Sequence, residues 1–160
     1  TRVIIFCSKK QNVKVLASEL KRSGFSAEEI HSDLAQDKRE QVLLDYRNKK
    51  LKILVATDIL SRGIDIEDIE LVINFDVPND GEDYIHRIGR TARAESTGTA
   101  YTLVSEAEQR KFAAIENLLG KPVTKSQVPA QFGETPNYAP QQRSSGFRHK
   151  RPYQSRHKKR

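Results

Sequence analysis

The sequence predicts a doubly wound α/β domain, a mainly parallel sheet with helices on both faces, and three observations carry that prediction. Short β-branched runs recur at residues 3–7, 53–56, 71–75 and 99–104, as buried strands require. Stretches with helical period lie between them. Alternation at this spacing implies right-handed crossovers, which cover both faces of one sheet. The third observation is chemical: polar residues follow directly on the apolar runs, Ser8 and Lys9 after the first and Thr57 and Asp58 after the run at 53–56. Ligands of such sheets gather at the strand carboxyl ends.

The elements follow in order. Val3 to Cys7 form an uncharged apolar strand, and the next helix is predicted over 12–21, where Val13, Leu16 and Leu20 share a face and Gly24 supplies a stop. A further strand is predicted at 25–30, ending in His31, Ser32 and Asp33. Val42, Leu43 and Tyr46 place a helix over 38–48. Pro78-Asn79-Asp80 announces a third helix, because Asn79 or Asp80 can cap its free amides while Glu82 and Asp83 occupy the electropositive first turn. That helix is expected to carry residues 84–93. A last helix over 106–119 ends at Gly120-Lys121-Pro122, where glycine suits a left-handed cap and proline prevents continuation.

Residues 1–122 are therefore expected to form the compact domain and 123–160 a flexible basic tail, since apolar periodicity lapses after Val123 and such a segment cannot bury enough surface to order itself. Charge divides the same way. Residues 1–120 carry 18 Lys+Arg against 20 Asp+Glu, whereas 121–160 carry 10 against Glu134 alone, so the formal +7 resides in the tail. Arg143, Arg148, Lys150 and Arg151, with Phe147 and Tyr153 among them, can pair with phosphates and offer rings for bases to stack on. A single cysteine, Cys7, excludes an internal disulfide and fits a reducing compartment. No run approaches the roughly 20 apolar residues that cross a bilayer, so a soluble, cytoplasmic chain without membrane contact is expected. The absence of methionine and the abrupt start at Thr1 suggest a fragment of a longer protein, expected to be monomeric.

Three constellations bear chemistry. His86-Arg87-Ile88-Gly89-Arg90-Thr91-Ala92-Arg93 crowds cations into two turns. On one helix Arg90 and Arg93 would stand a turn apart, able to converge on a phosphate with charge-assisted, bidentate hydrogen bonds, although a solvated basic face has the same spacing. Ala56-Thr57-Asp58-Ile59-Leu60-Ser61-Arg62-Gly63-Ile64-Asp65-Ile66 leaves a strand for polar residues. Gly63 permits close backbone approach, and Asp65 can accept from a ribose hydroxyl or serve simply as a turn residue. Gln36-Asp37-Lys38-Arg39 opens a helix with an amide and a guanidinium that can reach a nucleic-acid backbone, or with Asp37 as an ordinary cap.

Taken jointly, Ile4-Ile5-Phe6, then residues 36–39, then 56–66, then Val72-Ile73-Asn74-Phe75-Asp76-Val77-Pro78, then 84–93 resemble the second RecA-like domain of the DEAD-box RNA helicases, in family order and spacing across residues 1 to about 120. The resemblance implies a RecA-like fold and these roles: Arg90 and Arg93 as fingers on the γ-phosphate of ATP, Asp65 with Gly63 at the ribose, and His86 linking to the acidic motif of the partner domain. Ser8, Lys9, Gln36, Arg39 and Thr57 would lie along RNA without reading bases. Arg87 is read as structural, pairing with Asp58. The family's motif has glycine where this chain has Ala92. The tail, with its glycine, glutamine and arginine, resembles that of bacterial RhlE-type members.

No G-x-x-x-x-G-K-[ST] phosphate loop and no Asp-Glu-Ala-Asp run occurs in these residues. ATP and Mg2+ are therefore expected to be held mainly by the N-terminal RecA-like domain of the same polypeptide, the chain itself ligating no metal and being inactive alone. The expected function is the C-terminal half of an ATP-dependent RNA helicase working by domain closure. A non-catalytic RNA-binding module acting through the tail is the rival reading, and a DNA-directed relative a third. A dinucleotide oxidoreductase is discounted, because no G-x-G-x-x-G turn follows any strand.

Overall fold

The computed structural model describes residues 1–58, 69–91 and 98–140. Five strands, β1 (Val3–Phe6), β2 (Ala27–Ile30), β3 (Ile53–Ala56), β4 (Leu71–Asn74) and β5 (Thr99–Thr102), form one sheet ordered β2-β3-β1-β4-β5. Every pairing is parallel. Helices α1 (Lys10–Arg22), α2 (Gln36–Arg47), α3 (Gly81–Ile88) and α4 (Gln109–Leu119) follow the strands, the last preceded by a 3-10 turn at Glu106–Glu108. The predicted doubly wound parallel sheet is the observed one. Among the described residues no helix is long and apolar enough to cross a membrane.

Strand alternation sorts the core into two faces. Ile5, Cys7 and Val55 turn towards Val13 and Ala17 of α1, with Leu16 and Leu20 alongside. Ile4, Phe6, Ile30, Leu54, Ala56 and Val72 turn the other way, onto Val42 and Tyr46 of α2. Each large apolar side chain so enclosed contributes roughly 1.5–3 kcal/mol over its exposed state. A third cluster, Val77, Tyr84, Phe112 and Ile115, joins α3 to α4 beside the sheet. Gly81 at the head of α3 faces the exposed Leu118 side chain of α4, whose methyl would lie 2.4 Å from a Cβ there and would turn aside for one.

The capping expectations hold where the chain offers a short polar side chain. Asp80 accepts from the Glu82 amide at 3.0 Å, opening α3 as predicted. Gly120 closes α4 at φ 66, in the left-handed region. Asp37 does not cap α2: the cap position is Ala35, without a side-chain bond, and Asp37 lies in the first turn.

One expectation is corrected. α3 stops at Ile88, not at Arg93, so Arg90 lies beyond the helix in a turn. The Arg90 amide turns back to the Arg87 carbonyl at 3.2 Å, and the Ile88 carbonyl accepts both the amide and the hydroxyl of Thr91, each at 3.1 Å, so the chain tightens into i→i−3 bonds after Ile88. The segment expected as a tail over 123–160 begins with residues that touch the α/β unit. Val123 and Lys125 at one end of this segment and Asn137, Tyr138 and Ala139 at the other bond or pack on α4, with Val123 and Tyr138 on the third cluster, while a 3-10 turn at Ala130–Phe132 lies between them.

Candidate functional site

Register builds the site. Ile30, Ala56, Phe6, Asn74 and Thr102 form one aligned row across the carboxyl end of the sheet, turning polar only at β4 and β5. Two residues beyond that row stand Ser8, Asp58 and Asp76. Parallel strands deliver all three to one edge.

Arg87 of α3 closes over this edge, its side chain wholly buried and its guanidinium carbon 5.4 Å from the centre of the Phe6 ring. Nε donates to Asp58 Oδ1 at 2.5 Å and Nη2 to Asp58 Oδ2 at 2.8 Å, a bidentate pair. Nη1 donates to Asn74 Oδ1 at 3.4 Å and to the Asp76 carbonyl at 3.3 Å, while Nη2 also reaches Ser8 Oγ at 3.5 Å. The five donors of the fork are thus all directed at acceptors. Asn74 in turn donates to Thr102 Oγ1 at 3.0 Å. One side chain therefore ties together the ends of β1, β3, β4 and, through Asn74, β5. The pairing of Arg87 with Asp58 read from the sequence is what the structure shows. The crowding of cations at 86–93 is in part resolved inward, on carboxylates.

Sequence reasoning missed Asp76. Its carboxylate accepts the Ser8 amide at 2.9 Å on each oxygen and the Ser8 hydroxyl at 2.5 Å. The signal was present: Asp76 directly follows an apolar strand, as Asp58 does. The hydroxyl and amide of Ser8, expected to lie along RNA, are therefore spent on Asp76, leaving the exposed Lys9 as the outward group of that turn. Cys7 just before it is buried, and desolvation, helped by the neighbouring Asp76 charge, pushes its thiol up to about 12. It is a packing residue.

The remaining candidates line the same edge. Gln36 is exposed, and Arg39, half-buried, donates to Gln36 Oε1 at 3.2 Å and to the Leu34 carbonyl at 3.3 Å. The Thr57 hydroxyl is buried without a hydrogen-bond partner among the described residues. His86 is exposed on α3, and Arg90 is half-buried in the turn that follows. Asp33, next to the β2 end, binds Lys10 at 2.8 Å and Lys14 at 2.9 Å; hydrogen bonds from these two α1 ammoniums hold its carboxyl down at about 2. Gly63, Asp65, Arg93, Arg143, Arg148, Lys150 and Arg151 lie outside the described residues. Among the described residues no three His, Cys, Asp or Glu side chains gather as a metal site. The two carboxylates at the edge are already engaged by Arg87 and Ser8.

The Arg90 turn is held from outside by Gly98. A Cβ on Gly98 would lie 2.3 Å from Thr91 Cβ and 2.7 Å from the Thr91 carbonyl oxygen. Gly98→Ala is expected to force these backbones apart and to cost about 1–3 kcal/mol of stability, measured by urea denaturation. A variant as stable as the parent would contradict so close an approach.

The family model described as the helicase conserved C-terminal domain matches residues 1–95. The chain is 46% identical over 119 residues to the ATP-dependent rRNA helicase RRP3 of Encephalitozoon cuniculi, covering 74% of this chain and 30% of that protein. Its structure is similar to that of Saccharomyces cerevisiae Dbp5 bound to RNA and ADP BeF3, with a TM-score of 0.72 and 34% identity over 76% of this chain and 33% of that one. It is also similar to the Escherichia coli DEAD-box protein SrmB bound to the regulator of ribonuclease activity A, with a TM-score of 0.70 and 38% identity over 77% of this chain and 72% of that one. The chain spans less than a third of the length of the first curated relatives it matches.

Proposed function

Because the chain belongs to the helicase conserved C-terminal domain family, in its DEAD-box branch, we propose that it is the C-terminal half of an ATP-dependent RNA helicase that remodels RNA by ATP-driven domain closure. The observation that carries the reading is the division of labour between neighbouring arginines. Arg87 is consumed inside the sheet edge, and three residues on Arg90 sits in a short turn anchored by Thr91. A guanidinium mounted on so braced a base needs little reorganisation to meet developing charge on a phosphate.

In this reading an N-terminal RecA-like domain of the same polypeptide holds the nucleotide and its magnesium ion. ATP supplies the phosphoryl group whose transfer resets the cycle. Arg90 and Arg93 act as fingers, Gly63 and Asp65 meet the ribose, and His86 joins the acidic motif across the cleft. Among the described residues no three carboxylate or imidazole groups gather to hold a metal, and in this reading the other half supplies the ligands of magnesium. Lys9, at the turn that Ser8 and Asp76 brace, follows the RNA strand with Gln36, Arg39 and Thr57, and Arg143, Arg148, Lys150 and Arg151 add phosphate contacts that carry no base information. The tail's glycine, glutamine and arginine favour the RhlE-type branch.

The test is steady-state ATP hydrolysis with single-stranded RNA. The 160-residue chain is expected to show no turnover above buffer, while the longer protein with its phosphate-binding half hydrolyses ATP and is stimulated by RNA. Robust hydrolysis by residues 1–160 alone would overturn the proposal.

A further inference from the structure

α4 starts at the ligand edge of the sheet. Val77, next to Asp76 of the arginine cluster, is gripped from both sides: its amide donates to Glu108 Oε1 at 3.1 Å and its carbonyl accepts from the Lys111 ammonium. Eleven residues later, about 16 Å away at 1.5 Å per residue, Gly120 turns the chain out at the far end of α4. A tail departing there would carry its charge away from the edge.

It does not depart there. The Val123 amide donates to Glu116 Oε1 at 2.7 Å, the Lys125 ammonium takes the same carboxylate, and the Tyr138 hydroxyl donates to Glu116 Oε2 at 2.6 Å. Burial opposes ionisation of Glu116, yet these donors outweigh it and hold the carboxyl below its usual range. The Tyr138 ring meets Phe112 edge-on at 6.3 Å, beneath Lys125 at 4.3 Å. Buried Gln109 then holds both sides of the returning backbone: its Nε2 donates to the Asn137 carbonyl and its Oε1 accepts the Ala139 amide, each at 2.8 Å. Between these grips the Val128 amide donates to Thr135 Oγ1 at 2.7 Å. Of the six prolines, those at 129 and 136 fall in this stretch and those at 122 and 140 flank it, lowering the entropy lost in fixing it.

Gln109 adjoins Glu108, and so the chain re-emerges at residue 140 beside the edge it left. Eight Lys and Arg and no acidic residue follow in 141–160. We infer that residues 123–139 are an anchor, fixed by Gln109, Glu116 and Tyr138, that starts the basic segment at the carboxyl edge of the sheet, so that it extends the RNA path there instead of trailing as a free tether. The inference rests on the proposed RNA binding of that segment. With the anchor, Arg148 is 8 residues from a fixed point; released to Gly120, it is 28 away. Local concentration falls as about the −3/2 power of linker length, so release is expected to weaken RNA binding roughly sixfold.

The experiment measures binding of a fluorescent 20-nucleotide oligouridylate by the 160-residue chain, by anisotropy at fixed salt. Three variants are compared: deletion of 141–160, Gln109→Ala with Tyr138→Ala, and an insertion of 20 Gly/Ser residues after Pro140 that leaves the anchor and the fold untouched. The deletion is expected to remove most of the affinity, and the other two to lose about five- to tenfold. If the deletion weakens binding while the insertion and the double substitution bind like the parent, the anchor is overturned and tail binding stands. If the deletion changes nothing, RNA binding by the tail falls, and the anchor's role with it.

Discussion

Arg87→Ala is expected to lower the unfolding free energy by about 3 kcal/mol, the low end of what removing one partner from a buried ion pair costs, because Arg87 is wholly buried while the Asp58 side chain stays 30% exposed. Asp58 would keep a carboxylate at a closed sheet edge with both its guanidinium bonds gone, and Asn74 and the Asp76 carbonyl would lose donors as well. Against a typical total of 5–15 kcal/mol this is a large fraction, on the order of 10 °C or more in melting temperature. Arg87→Lys is expected to recover little, because one ammonium cannot span both Asp58 oxygens and the β4 acceptors together. Urea denaturation followed by circular dichroism measures the loss. An alanine variant within 1 kcal/mol of the parent would mean that the fork does not brace the strands.

Three residues on, the expected outcome is of the opposite kind. In the longer protein with its phosphate-binding half, Arg90→Ala is expected to reduce kcat for RNA-stimulated ATP hydrolysis by about 10³-fold or more, the usual cost of an absent arginine finger. Its effect on stability should stay well below that of Arg87→Ala, since Arg90 is only half-buried and lies beyond the helix, whereas Arg87 is wholly buried. The pair of variants therefore separates bracing from chemistry along one stretch of chain. A kcat within tenfold of the parent, with folding intact, would remove Arg90 from the reaction.

How far these roles were legible depends on the range of the interactions concerned. Strand and helix positions follow from local apolar runs and caps, so β1 to β5, the α1 face through Val13, Leu16 and Leu20, and the Asp80 cap agree between sequence and structure. The pairing of Arg87 with Asp58 was readable because each sits in a recognisable motif. The end of α3 was not, because it turns on a shift to i→i−3 bonds at Arg90 and Thr91, the second reinforced by the Thr91 hydroxyl. Nor was the order of residues 123–139: an extended segment held by hydrogen bonds has no period, and its partner Gln109 lies 28 residues from Asn137 and 30 from Ala139. The bond between Ser8 and Asp76 was not legible for the same reason, since the two are 68 residues apart.

The chemistry of Cys7 has a practical corollary. A thiol with no solvent access and an affinity for its proton far above that of a free cysteine offers maleimide reagents almost no thiolate at neutral pH. As it is the only cysteine in the 160 residues, a second one introduced at an exposed position can be labelled with a single dye without first removing the native residue.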